Sequence, residues 1–134
     1  MRKGICLVLC LVFALGAVGV VHAEEDIMLC YEYVSSINAS LSISSGTAKA
    51  AGKVCSSDNL KTSITVRLQR KSSNGTWSTI STWTDSNNSG ASEAGGTKTL
   101  TSGYSYRVYV TGKVYNSAGT VVETVDKYSA TKSY

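Results

Sequence analysis

The stretch "LTSGYSYRVYV", Leu100–Val110, decides how the rest of the chain reads. From Tyr104 onward the side chains alternate. Tyr104, Tyr106, Val108 and Val110 fall on one side, and Ser105, Arg107 and Tyr109 on the other. A period of two belongs to an extended strand with one face in a core and the other toward water. Gly103 stands just before the alternation begins, where a chain entering a strand has to turn.

Working outward, the same alternation recurs on both sides. "INASLSI" puts Ile37, Ala39, Leu41 and Ile43 on one face, and "SSG" (Ser44–Gly46) turns the chain. "TAKAAGKVC" aligns Ala48, Ala50, Gly52 and Val54, small residues that suit close packing or a bulge. "SSDN" (Ser56–Asn59) turns again, and "LKTSITVRL" carries Leu60, Thr62, Ile64, Val66 and Leu68 inward. Asn74-Gly75 is a hairpin signal, because both residue types tolerate positive φ. "TWSTISTW" returns from it, and "DSNNSGASEAGG" reads as a long Gly/Ser/Asn loop. "YSYRVYVTGKVY", the turn "NSAG" (Asn116–Gly119) and "TVVETVDKYSA" complete the series. The expectation is an all-β fold: an antiparallel sandwich of about seven strands. Helical periodicity and internal repeats are both absent from this region.

The first 23 residues read differently. Arg2 and Lys3 precede the uncharged apolar run Ile5–Val21, and "VHA" ends in Ala23 before Glu24, Glu25 and Asp26. That is the pattern of a signal peptide, residues 1–23, on a secreted chain. The single domain is then 24–134, with a core over about 36–130. Its removal discards Arg2, Lys3 and the only histidine, His22, so the formal charge falls from +4 to +2. No basic cluster is denser than Arg70-Lys71, which argues against nucleic acid as a partner. After cleavage no membrane segment is expected. Cys30 and Cys55 remain. In an oxidising compartment a disulfide between them would close 24 residues and stabilise the fold by roughly 3 kcal/mol. Two buried free thiols are the alternative.

The spacing Leu100, Gly103, Tyr106 resembles the tyrosine corner of fibronectin type III and immunoglobulin-like sandwiches. The resemblance implies that Tyr106 packs in the core with its hydroxyl bonded back to the crossing backbone, that Gly103 makes the turn, and that Leu100 plugs the core. The chain as a whole is similar to small secreted proteins of Gram-positive, mostly clostridial, bacteria with no assigned function. The signal, "YVSSINASLSISSGTAKA", "LQRKSSNGTWSTI" and "GYSYRVYVTGKVYN" carry that likeness. It implies a bacterial, secreted β protein and brings no active site.

Catalytic chemistry finds little to work with. Without histidine, Ser-His and Cys-His pairs are excluded. Carboxylate pairs remain, but the acids Glu24, Glu25, Asp26, Glu32, Asp58, Asp85, Glu93, Glu123 and Asp126 mostly fall in turns or the amino-terminal segment. Asp85, Asn87, Ser89 and Gly90 match the start of a calcium loop, but its closing position is Gly96, which has no side chain. No metal or cofactor is expected. The aromatic residues are more informative. Trp77 and Trp83 share parity and Ile80 opposes them, so an unbroken strand cannot bury all three. A two- or four-residue loop would pair Trp83 near Val66 and turn it inward, with Ile80 in solvent. A three-residue loop with a bulge would put Ile80 beside Leu68 and both Trp rings outside. On the outward side of the next strand, Arg107, Tyr109 and Tyr115 would extend such a surface.

The expected function is non-catalytic binding of a protein or glycan at or outside the cell envelope, through Trp77, Trp83, Arg107, Tyr109 and Tyr115. The alternatives are a secreted effector, inhibitor- or bacteriocin-like, whose mark would be a rigid protruding loop, and a hydrolase using two carboxylates in one cleft. A structural role in a spore or surface layer is a further option. Oligomeric state is not legible in these residues.

Overall fold

The computed structural model describes residues 31–134, of which Tyr33–Tyr134 form one unit. The expected signal peptide and Cys30 lie outside the described residues. Eight strands follow in order: β1 Val34–Ser44, β2 Thr47–Ser56, β3 Thr62–Lys71, β4 Trp77–Asn87, β5 Ala91–Thr99, β6 Ser105–Tyr115, β7 Val121–Tyr128 and the short β8 Lys132–Ser133. They make two antiparallel sheets. One has the order β1-β2-β5; the other has β4-β3-β6-β7, with β8 also pairing β6. Seven main strands, three against four, form a fibronectin type III-like sandwich.

Period-two alternation builds the core. Ile64, Val66 and Leu68 of β3 and Tyr106, Val108, Val110 and Val114 of β6 are buried against Leu41, Ala48, Ala50 and Val54 of the other sheet. Each fully buried Val, Leu or Ile is worth about 1.5–3 kcal/mol over its exposed state. The β-branched residues of β3 and β6 fit where the first sheet is small. A Cβ at Gly52 would lie 2.7 Å from a Val110 methyl and 2.8 Å from a Val66 methyl, and one at Gly112 would lie 2.7 Å from a Val54 methyl. One polar pair crosses the core. The Ser92 hydroxyl donates to the Thr62 carbonyl at 3.0 Å, and the two hydroxyls are 2.7 Å apart, so neither is buried unpaired.

The corner sits between β5 and β6. Tyr106 is fully buried; its hydroxyl donates to the Thr101 carbonyl at 2.6 Å and accepts from the Thr101 N–H at 3.2 Å. Gly103 has φ 93°, and Leu100 is buried, its N–H donating to the Gly46 carbonyl at 2.8 Å. At the far end Glu123 of β7 accepts the N–H groups of Tyr33 and Val34 at 2.9 and 2.8 Å, tying the start of β1 to the opposite sheet.

Two expectations about turns change. Ser44–Thr47 is the two-residue hairpin, with Ser45 at φ 49° and Gly46 at φ 75°. At Asn74-Gly75 the loop has three residues, one of the lengths left open by the sequence: Ser72 N–H bonds to Thr76 O and Gly75 N–H to Ser72 O, but only Gly75 (φ 89°) takes positive φ. The stretch expected as a long loop, "DSNNSGASEAGG", is mostly strand. β4 runs to Asn87, a short turn follows, and β5 begins at Ala91. Its glycines are a packing requirement. A Cβ at Gly95 would lie 2.2 Å from the Ala50 carbonyl oxygen, and one at Gly96 would lie 2.3 Å from the Trp83 indole nitrogen. Asn87 accepts from Ser89 N–H and Oγ–H at 2.9 and 2.7 Å, so the residues of the calcium-like pattern cap this turn. Cys55 is half-buried and joins no disulfide among the described residues.

Candidate functional site

The site is the outer face of the four-stranded sheet, and its register follows from the turn at Gly75. The three-residue loop pairs Lys71 with Trp77 and sends Trp77 outward. A bulge then follows: Leu68 pairs with Ser81 and Gln69 with Thr79, leaving Ile80 as the extra residue. Beyond it the parity reverses, and Trp83 pairs with Val66 on the inward side. The structure thus follows neither expected arrangement. One loop and one bulge place the two indoles on opposite faces, with Ile80 half-buried between them.

On β6 and β7 the register pairs Gln69 with Arg107, Arg67 with Tyr109, and Tyr109 with Tyr128. The outward side chains then interleave. The Arg107 guanidinium carbon lies 4.2 Å from the Trp77 ring centroid and 4.3 Å from that of Tyr128. Tyr128 stacks on Tyr109 with centroids 4.6 Å apart and planes 12° from parallel. Arg67 lies 5.3 Å from the Tyr109 centroid. The result is a continuous row: Trp77, Arg107, Tyr128, Tyr109, Arg67. A cation over a ring is worth about 0.5–1 kcal/mol at an exposed site, and more where water is displaced. Arg107 is held further by its Nε–H donating to Gln69 Oε1 at 2.8 Å. Arg67 donates to Thr111 Oγ1 at 3.1 Å, and that hydroxyl donates to Asp126 at 2.9 Å.

Lys71 lies 6.0 Å from the Trp77 centroid at the start of the row. At the other end of the sheet Lys61 stands 5.1 Å over Tyr115, whose hydroxyl is 3.0 Å from Ser63 Oγ. Tyr115 shares the face with Tyr109 but lies six residues along, roughly 20 Å away, so it forms a separate pair. Among the described residues this face carries Lys61, Arg67, Lys71, Arg107 and Lys113, with one acid, Asp126.

Of the residues singled out from sequence, the structure brings together Trp77, Arg107 and Tyr109. Tyr115 stands apart and Trp83 is on the other side. Trp83 rests on Gly96 and lines an open groove of about 780 Å³ between β4 and β5, with Lys49, Asp85 and Glu93 also on its walls. Asp85 accepts the Glu93 N–H at 3.2 Å. Among the described residues no group of three or more His, Cys, Asp or Glu could hold a metal ion. Tyr128 and Arg67 belong to the row and Gln69 braces it; none of the three was singled out. A second bulge hid Tyr128: Val114 pairs with Glu123 but Tyr115 with Val121, so parity counted from the Asn116–Gly119 turn assigns Tyr128 to the wrong side.

No protein-family model matches this chain, and no curated protein matches it. Among solved structures, the β-glucuronidase from Ruminococcus gnavus in complex with D-glucuronic acid is 12% identical over 71% of this chain and 15% of its own, with a TM-score of 0.35. Bacteroides uniformis β-glucuronidase 2 is 16% identical over 70% of this chain and 13% of its own, with a TM-score of 0.40. The chain spans less than a fifth of either enzyme, and a likeness this slight says nothing about activity.

Proposed function

We propose that this chain is an exported, non-catalytic binding module that meets a protein or glycan outside the cell through the outer face of its four-stranded sheet. The observation that carries the reading is Arg107, clamped between Trp77 and Tyr128 on an otherwise polar face. A side chain ordered before binding loses little entropy on binding, which is how a small surface gains affinity. The test is a glycan array run beside pull-down from culture medium. Trp77→Ala and Arg107→Ala are compared with Lys49→Ala on the other sheet, after thermal melts show that each variant folds. Binding that is weakened by the first two and not by the third supports the reading. Equal binding by all three removes it.

Export rests on the residue pattern Met1–Ala23. Amino-terminal sequencing of the protein from medium should begin at Glu24. In that compartment Cys30 and Cys55 are expected to pair, and a thiol count of zero on the secreted form is the outcome that fits.

The hydrolase reading keeps one supporting observation: Asp85 and Glu93 line one groove beside Trp83. Release of reducing ends from polysaccharide, abolished by Asp85→Asn or Glu93→Gln, would favour it. The effector reading called for a rigid protruding loop, and the long stretch between the two strands folds as β4, a short turn and β5.

A further inference from the structure

We infer that the partner of this face is an acidic polysaccharide, a chain of carboxylate- or sulfate-bearing sugars lying along β3 and β6. The inference rests on the binding reading above and names the ligand class.

The ring faces in the row are already occupied. Arg107 packs on both Trp77 and Tyr128, Tyr128 lies on Tyr109, and Arg67 stands 5.3 Å from the Tyr109 centroid. A neutral sugar or a nucleic-acid base binds such residues by stacking on a free ring face, and the row offers little of that. What it offers instead is the edges of guanidinium groups. Arg107 spends its Nε–H on Gln69, and no described acceptor takes its terminal N–H groups. A guanidinium held in one plane presents paired donors that match a carboxylate or sulfate.

The cations also form a track. Lys71, Arg107, Arg67, Lys113 and Lys61 mark successive levels of the β3–β6 ladder, interrupted only at the Thr65–Thr111 level beside Asp126. Two residues span roughly 6.6 Å, so the levels from Lys71 to Lys61 cover roughly 33 Å. A single small anion would use one level; a polymer with a charge on many of its units uses them all. Among acidic polymers the face favours sugar over protein. Most of its outward residues besides the row and the lysines, among them Ser63, Thr65, Thr79, Thr82, Thr84 and Ser105, offer hydroxyl groups. The core of a protein interface is drier and more apolar than that.

The experiment measures retention of the processed protein on immobilised heparin and polygalacturonate, beside neutral dextran, poly-glutamate and a single-stranded oligonucleotide. The wild type should be held by one of the acidic polysaccharides and released by salt, since exposed charge pairing is screened within about 10 Å at 0.1 M. Arg107→Gln and Arg67→Gln should each weaken binding about tenfold, and the variant carrying both should weaken it further. The control Lys49→Gln with Lys53→Gln removes as much charge from the opposite sheet and should leave retention unchanged. Equal losses in both doubles would reduce the effect to net charge and overturn the inference. So would failure to bind either acidic polysaccharide, or equally tight binding to poly-glutamate or the oligonucleotide. A neutral or protein partner lost on Trp77→Ala would overturn this ligand class while leaving the face as the binding surface.

Discussion

The two sheets share one alternation and present opposite surfaces. Outside the three-stranded sheet, Ser40, Ser42, Lys49, Ala51, Lys53, Glu93, Gly95 and Thr97 give a small, mixed face with no aromatic ring. Its Lys53 pairs directly across with Glu93, so one of its charges is answered within the sheet. Outside the four-stranded sheet, Arg107 stands opposite Gln69 and Arg67 opposite Tyr109, so cations face neutral partners. Rings rather than acids hold those cations in place. The first face sets a cation against an acid, while the second presents cations with no acid directly across from them. Cross-strand partners, more than composition, make that difference.

The inward sides differ too, and this is where substitutions should act most strongly. Leu68→Ala on the four-stranded sheet leaves a cavity under small neighbours and should cost about 2–5 kcal/mol, read from denaturant unfolding. A loss below 1 kcal/mol would mean that the sheets do not meet as described. Next comes the corner: Tyr106→Phe strands the Thr101 carbonyl and should cost about 1–3 kcal/mol. An unchanged melting temperature would remove its structural role. Gly96→Ala sharpens the contrast between the two indoles. It should push Trp83 off β5, destabilise by about 1–3 kcal/mol and red-shift the tryptophan emission. Trp77 fluorescence, isolated in a Trp83→Phe background, should not respond. Arg107→Ala removes one cation from between two rings and should cost about 1 kcal/mol of stability, far less than its effect on binding. Smallest is Lys53→Gln on the three-stranded sheet, within about 0.5 kcal/mol in a thermal melt. A larger effect there would undo the distinction between the faces.

Some residues told their place from the chain alone. Tyr106, Val108 and Val110 alternate without interruption from a glycine turn, and nothing in the fold disturbs their count. Arg107 and Tyr109 were outward by that same alternation, and Trp77 could be marked as outward once the turn had three residues. Trp83 and Tyr128 could not be placed. Each lies beyond a bulge, and one extra residue reverses every side chain after it. The 85–96 stretch misled for another reason. Glycine reads as loop in a list of residues, but Gly95 and Gly96 are small because Ala50 and Trp83 leave no room for a Cβ.

Period-two hydrophobicity and turn chemistry were enough, from the residues themselves, to determine most strands and an antiparallel sandwich, because these are local properties of a pleated backbone; the tyrosine corner was legible through the resemblance carried by Leu100, Gly103 and Tyr106. Whether Arg107 would meet Trp77 and Tyr128, and whether the two indoles would share a face, was decided only when strands far apart in the chain came together. Bulge positions and cross-strand register depend on how one sheet packs on the other, and no window of sequence holds both partners.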